Sequence, residues 1–85
     1  MVISYHKIFQ KKFSRLDKKI KTAFKIKLAL FLENPRHPLL RNHSVEKAFP
    51  GCRSLNITGD YRTIFRESTA SIEFINIGTH SQLYR

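Results

Sequence analysis

Between Cys52 and Ile77 the chain alternates strand-like runs with three-residue turns: CRSLNI, TGD, YRTIFRE, STA and SIEFINI. Runs of this length, rich in Ile, Phe, Tyr and Thr, are strands rather than helices, and Gly59 suits a tight reversal. Parallel neighbours need a crossover of roughly a dozen residues or more, so turns this short dictate an antiparallel meander. SIEFINI is apolar at both parities apart from Glu73 and Asn76, the pattern of a central strand with one face covered. Gly78 ends it.

What covers that face lies upstream. VISYH, residues 2–6, alternates like a short first strand. Ile8, Phe9, Phe13 and Leu16 then recur at helical spacing, and Asp17 marks a break or an N-cap. Beyond it Ile20, Phe24, Leu28 and Phe31, broadened by Ala23 and Leu32, form the apolar stripe of a second helix with Lys18, Lys19, Lys21, Lys25 and Lys27 on its solvated side. Asn34-Pro35 ends that helix, because Pro lacks the N–H and restricts its predecessor. Residues 35–51 hold all three prolines and read as a long irregular connection packed down by Leu39, Leu40, Val45 and Phe49. The expected architecture is α+β: an N-terminal strand, then two helices on one face of a curved, antiparallel, three- to four-stranded sheet. The other face is expected to stay concave and open.

Eighty-five residues suffice for one core, so residues 1–85 are read as a single domain. The lone Cys52 can form neither an internal disulfide nor a multi-cysteine metal site, which suggests a reducing compartment. The N-terminal residues lack the apolar run of a signal peptide, and no stretch is long and apolar enough for a bilayer span. A cytoplasmic location and no membrane partner are expected. Sixteen Lys and Arg against six Asp and Glu give a net charge of +10. A small domain so basic repels itself unless a polyanion or an acidic protein neutralises it, and nucleic acid is the leading partner class.

Polar candidates fall in four stretches: Arg41 and His43 in the long connection, Arg53 and Asn56 on the first meander strand, Asp60, Tyr61 and Arg62 at its turn, and His80 to Arg85 in the tail. Meander neighbours lie ~5 Å apart, so these stretches are expected to converge on one edge of the sheet. The four His have no paired metal-site spacing, and there is no glycine-rich phosphate loop and no nucleophile elbow, so no metal and no cofactor are expected. Metal-free RNA cleavage needs only what is present. The substrate's 2′-hydroxyl is the nucleophile, His moves protons near neutral pH, Arg contacts phosphate oxygens, and Tyr stacks on a base.

Each residue also has a structural reading. His43 suits a solvated loop, His80 and Tyr84 could anchor the tail, and Asp60 suits a hairpin turn. Arg62 could pair with Glu67 or Glu73 across strands. His6 and His37 are assigned to solvent.

The Asn34-Pro35 stop, the loop His43, the block CRSLNITGDYRTIF (Cys52 to Phe65) and the terminal GTHSQLY (Gly78 to Tyr84) together resemble the RelE/ParE toxin superfamily, in particular its YafQ-like branch of mRNA interferases. The resemblance covers nearly the whole chain. It implies the toxin of a type II toxin–antitoxin system, a ribosome-dependent, metal-free endoribonuclease that cuts mRNA. Its partners would be a cognate antitoxin, the ribosome and mRNA, with operator DNA reached only through the antitoxin complex. Residue by residue it implies His43 as an acid/base or phosphate contact, Asp60 at the strand turn, Arg62 on the scissile phosphate, His80 as general acid or base, and Tyr84 as the aromatic that stacks on or orients the substrate. Arg41, Arg53, Asn56, Tyr61 and Arg85 are the accompanying RNA-binding candidates. Where the YafQ pattern has a second strand His, this chain has Asn56, which cannot move a proton. Two alternatives use the same fold: a ParE-like gyrase inhibitor, which lacks the acid/base set, and a catalytically degenerate toxin that only binds its antitoxin.

Overall fold

The computed structural model describes residues 1–84; Arg85, one of the RNA-binding candidates, lies outside them. The elements are β1 (Val2–Tyr5), α1 (Lys7–Ser14), α2 (Lys18–Glu33), a 3-10 turn (Pro38–Leu40), β2 (His43–Ser44), β3 (Arg53–Asn56), β4 (Tyr61–Glu67), β5 (Ser71–Thr79) and α3 (His80–Leu83). No helix among the described residues is long and apolar enough to cross a membrane.

The α+β class and the meander match expectation. The sheet is wider than expected and mixed: five strands in the order β1-β5-β4-β3-β2. The N-terminal strand joins β5 in parallel, Val2 opposite Ser71 and Tyr5 opposite Phe74, because the two-helix crossover returns it to the same direction. The fifth strand is β2, a two-residue pairing of His43 with Ser54 and Ser44 with Arg53 inside what reads as an irregular connection. Pro38 and the neighbouring prolines hide this strand from a pattern search, since the run is too short to alternate.

Caps fix the helix starts. Asp17 Oδ1 accepts the Ile20 N–H at 3.0 Å, so Asp17 is the N-cap of α2. His6 Nδ1 accepts the Ile8 N–H and His37 Nδ1 the Leu39 N–H, both at 3.1 Å. Both were expected in solvent; His6 is exposed and His37 half-buried, and each in addition caps an element, α1 and the 3-10 turn. Imidazole is an uncommon cap, and composition gives no warning of it.

One face of the sheet holds the main core. Phe9, Phe24 and Phe31 from the helices pack on Leu55, Ile57, Phe65, Ile72, Phe74 and Ile77. Phe9, Phe24 and Phe74 form an aromatic cluster with ring centroids 5.3–5.8 Å apart, and Phe31 meets Phe65 edge-on at 5.2 Å. Such pairs add about 0.5–1.5 kcal/mol beyond the area they bury.

A bulge in β5 explains why SIEFINI is apolar at both parities. Ile64 pairs with Asn76 while Phe65 pairs with Phe74, leaving Ile75 as the extra residue. Phe74 and Ile77 therefore both serve the helix side, and Ile75 joins a second cluster of Cys52, Ile64 and Leu83, flanked by Val45, Phe49 and Tyr84. The second face is thus not simply open. Helix α3 and the turn through residues 45–52 cover part of it and leave a hollow between them.

Candidate functional site

The hollow measures about 370 Å³ and is lined by residues from every segment flanking that second face. Arg41, His43, Ser44 and Val45 come from the connection, Ser54 and Asn56 from β3, Arg62 from β4, and His80 and Tyr84 from the tail. Register explains the convergence. Asn56 lies opposite Arg62, Arg62 opposite Gly78, and His43 opposite Ser54. Lateral steps of this kind gather residues spread from Arg41 to Tyr84 around one hollow.

The tail is held firmly. Thr79 caps α3 by accepting the Gln82 N–H at 3.2 Å, and Gln82 Oε1 accepts the Thr79 N–H at 2.9 Å, a reciprocal capping box. Leu83 is buried, and the His80 N–H donates to the Asp60 carbonyl at 3.1 Å. Gly78 leaves room for this box: a Cβ there would stand 2.9 Å from Gln82 Oε1 and push the amide off its bond to Thr79. Behind the hollow, the Tyr84 ring meets Phe49 edge-on at 6.1 Å and His80 at 4.7 Å.

His43 has a defined tautomer. Its Nδ1 lies 2.6 Å from the Arg41 carbonyl, which can only accept, so the proton is on Nδ1 and the Nε2 lone pair is free in the neutral ring. Arg41 makes this possible through its backbone. At φ 46° and ψ 45° it is the one non-glycine residue with positive φ among the described residues. Left-handed backbone at a non-glycine residue costs about 1–3 kcal/mol and gathers at functional sites.

Arg62 is fixed by its turn. One terminal nitrogen lies 3.1–3.2 Å from the carbonyls of Thr58, Gly59 and Tyr61. The rest of its donor fork stays available for an anion. The cross-strand ion pair considered for it belongs instead to Arg66, 3.7 Å from Glu73 on the surface.

Three candidates lie outside the hollow. Tyr61 packs against the helix-side core. Arg53 shares the parity of Leu55, and its Nε donates to Asn42 Oδ1 at 2.7 Å, tying the residue before His43 to β3. Asp60 sits in the exposed turn and reaches the tail through its carbonyl rather than its carboxylate. Tyr61 and Arg53 lie off the hollow because successive strand residues take opposite faces, and their neighbours Arg62 and Ser54 take the hollow side.

Ser44, Val45 and Ser54 also line the hollow, and no motif singled them out. The Ser54 side chain is fully buried, and its Oγ has no hydrogen-bond partner. Burying a hydroxyl this way costs about 1–3 kcal/mol.

The lining is basic and lacks any carboxylate: two guanidinium groups, two imidazoles, an amide, a phenol and hydroxyls. Such a set binds an oxyanion and can move protons on either side of it. A third cavity, about 480 Å³, shares Arg41 and Asn56 with the hollow and carries Lys27, extending the basic surface toward α2. Among the described residues no group of three or more His, Cys, Asp or Glu could hold a metal ion.

No known family's sequence profile matches the chain, and no curated protein matches it in sequence. Solved structures do. The fold is that of bacterial RelE/ParE-type toxins. YafQ from E. coli strain BL21(DE3) superposes with a TM-score of 0.83 over 98% of this chain and 97% of its own, at 21% identity. A YoeB/ParE toxin from Agrobacterium tumefaciens gives 0.77 over 94% and 99%, at 18% identity. The YafQ chain of the E. coli DinJ-YafQ toxin-antitoxin complex gives 0.72 over 98% and 96%, at 18% identity.

Proposed function

We propose that the chain is the toxin of a type II toxin–antitoxin system and acts as a metal-independent endoribonuclease on ribosome-bound mRNA. The observation that carries this reading is the joint presence of His43, Arg62, His80 and Tyr84 around one basic hollow. The scissile phosphate sits against the free donors of Arg62 and the Arg41 side chain. His43 Nε2 takes the proton of the 2′-hydroxyl as its oxygen attacks phosphorus. The 2′-O–P bond forms, the P–O5′ bond breaks, and His80 as imidazolium gives its proton to the departing 5′-oxygen. The products are a 2′,3′-cyclic phosphate and a 5′-hydroxyl. Arg62 neutralises the charge that builds on the phosphorane, and positioned charges of this kind supply much of the rate in dry sites. Asn56 replaces an acid/base group with an amide that can only hold an oxygen in place.

The solved DinJ-YafQ complex supports an antitoxin partner. With a net charge of +10, that partner would be acidic. The ribosome is the second polyanion the charge suits, with lysines on α2 meeting rRNA phosphates.

Adding the purified chain to a translating extract tests the catalytic reading. Reporter mRNA should be cut at discrete sites, and the His80→Ala chain should leave it whole. Reporter mRNA that stays intact with the wild-type chain while translation stops would overturn cleavage and favour a binding toxin.

A further inference from the structure

The third cavity, about 480 Å³, adjoins the hollow on the side away from the tail. Arg41 and Asn56 border both, whereas His80 and Tyr84 line the hollow and not the third cavity. Lys27, Thr58 and the apolar wall of Pro38 and Leu39 complete it. Lys27 and Arg41 bring two positive charges, and no carboxylate is among the lining residues. Asp60, close by in sequence, is exposed in its turn and does not border the cavity. Charge here selects an anion.

The donors are fixed in place. Lys27 differs from the exposed Lys18, Lys19 and Lys25 of α2: it is half-buried, donates to the Ile57 carbonyl at 3.1 Å and keeps its other N–H donors for a ligand. Thr58 Oγ1 accepts the Asp60 and Tyr61 N–H groups at 3.3 and 3.0 Å, so its own proton is left to donate. The Thr58 carbonyl accepts from Arg62 at 3.1 Å, which ties the cavity to the hollow through one turn.

We propose that this cavity binds the phosphate next upstream of the scissile one, so that the message runs 5′ to 3′ from Lys27, across the hollow, toward the tail. The proposal rests on the RNA-cleavage reading and adds to it a subsite and a strand direction. The direction follows from the roles of the two imidazoles. His43 takes the proton of the 2′-hydroxyl, which belongs to the nucleotide on the 5′ side of the cut. His80 serves the departing 5′-oxygen of the nucleotide on the 3′ side. Arg41, whose carbonyl holds His43, borders the third cavity, and His80 does not. The attacking nucleotide therefore lies toward Lys27, and the next phosphate in that direction is the one on its own 5′-oxygen. Lys27 and the Thr58 hydroxyl hold that phosphate, Arg41 lies between the two phosphates, and Asn56 meets the ribose that joins them.

The test titrates the full chain with 2′-deoxy dinucleotides, which it cannot cut, bearing no terminal phosphate, a 5′-phosphate or a 3′-phosphate. A terminal phosphate adds the same charge at either end, so only its position differs. The 5′-phosphate should tighten binding about 10-fold, shift the Thr58 methyl signal in NMR spectra and lose its advantage as salt is added. The 3′-phosphate should do far less and leave the Thr58 signal in place. Lys27→Gln should bring the 5′ gain down to the 3′ gain. Each gain is a ratio of two ligands on one protein, so a general loss of folded chain cancels. Equal gains from the two ends, as a diffuse basic surface would give, a 5′ gain that survives Lys27→Gln, or no dinucleotide binding would each overturn the subsite. A chain that shows the 5′ preference yet cuts no ribosome-bound mRNA would sink the catalytic reading and leave the subsite standing.

Discussion

The two faces of the sheet are built on opposite principles. On the helix side, Leu55, Ile57, Phe65, Ile72, Phe74 and Ile77 share one apolar cluster with Phe9, Phe24 and Phe31 of α1 and α2. On the other side, a small cluster around Ile64 and Leu83 supports a rim of charged and polar groups, one of which, Ser54 Oγ, is buried without a partner. Arg41 adds strained backbone at the same rim. The helix side stabilises the fold, and the hollow side gives up some of that stability for a preformed polar surface. Mutations should therefore separate: helix-side changes lower stability, and hollow-side changes lower activity.

The largest effect belongs to the helix side. Phe74→Ala should cost about 3–5 kcal/mol in urea unfolding, enough to leave a domain this small mostly unfolded. A loss under about 1 kcal/mol would mean that the aromatic cluster is not where stability resides. His80→Ala should lower cleavage about 10²- to 10⁴-fold, while stability stays within about 0.5 kcal/mol, as at other exposed sites. A stability loss matching that of Phe74→Ala would erase the contrast.

Ser54→Ala sharpens it. Removing an unpartnered buried hydroxyl should raise stability by about 1 kcal/mol, and a drop in melting temperature instead would show that the hydroxyl is satisfied in solution. Thr79→Ala removes the cap that seats His80. It should cost about 1 kcal/mol and lower kcat beyond what that loss of folded protein explains, since α3 would fray.

The smallest effect is at Lys12. Partial burial lowers the pKa of its ammonium, which donates to Asn76 Oδ1 at 2.8 Å. A base whose folded pKa is depressed carries its penalty at every pH below that value, and the penalty is relieved as pH rises from there toward the ordinary value of 10.5. Lys12→Gln should change stability at neutral pH by no more than about 0.5 kcal/mol and flatten any alkaline rise seen in the wild type.

Much of the helix side was legible in the sequence because burial imposes periodicity. The Ile20–Phe24–Leu28–Phe31 stripe is a pattern that packing one helix face on the sheet imposes. The hollow was legible where its residues cluster in the sequence, as in GTHSQLY, and where a family pattern names them. It was not legible where function depends on conformation. Nothing in the string PRHPLLRNHS marks Arg41 as left-handed, or His43 as pairing with β3. The β5 bulge that lets Phe74 and Ile77, three residues apart, serve the same face also leaves no trace in composition. Tyr61 and Arg53 lie away from the hollow for the same reason: strand parity, not proximity in sequence, decides which face a side chain takes.

The account stands or falls on whether the hollow directs attack by the substrate's own 2′-hydroxyl. Two mRNAs, identical except for a single 2′-deoxy nucleotide at the mapped cut, should be presented on ribosomes with the chain added. The account predicts that the ribonucleotide version is cut to a 2′,3′-cyclic phosphate and a 5′-hydroxyl end and that the deoxy version survives at that site. Equal cutting of both, or a 5′-phosphate end, would contradict it.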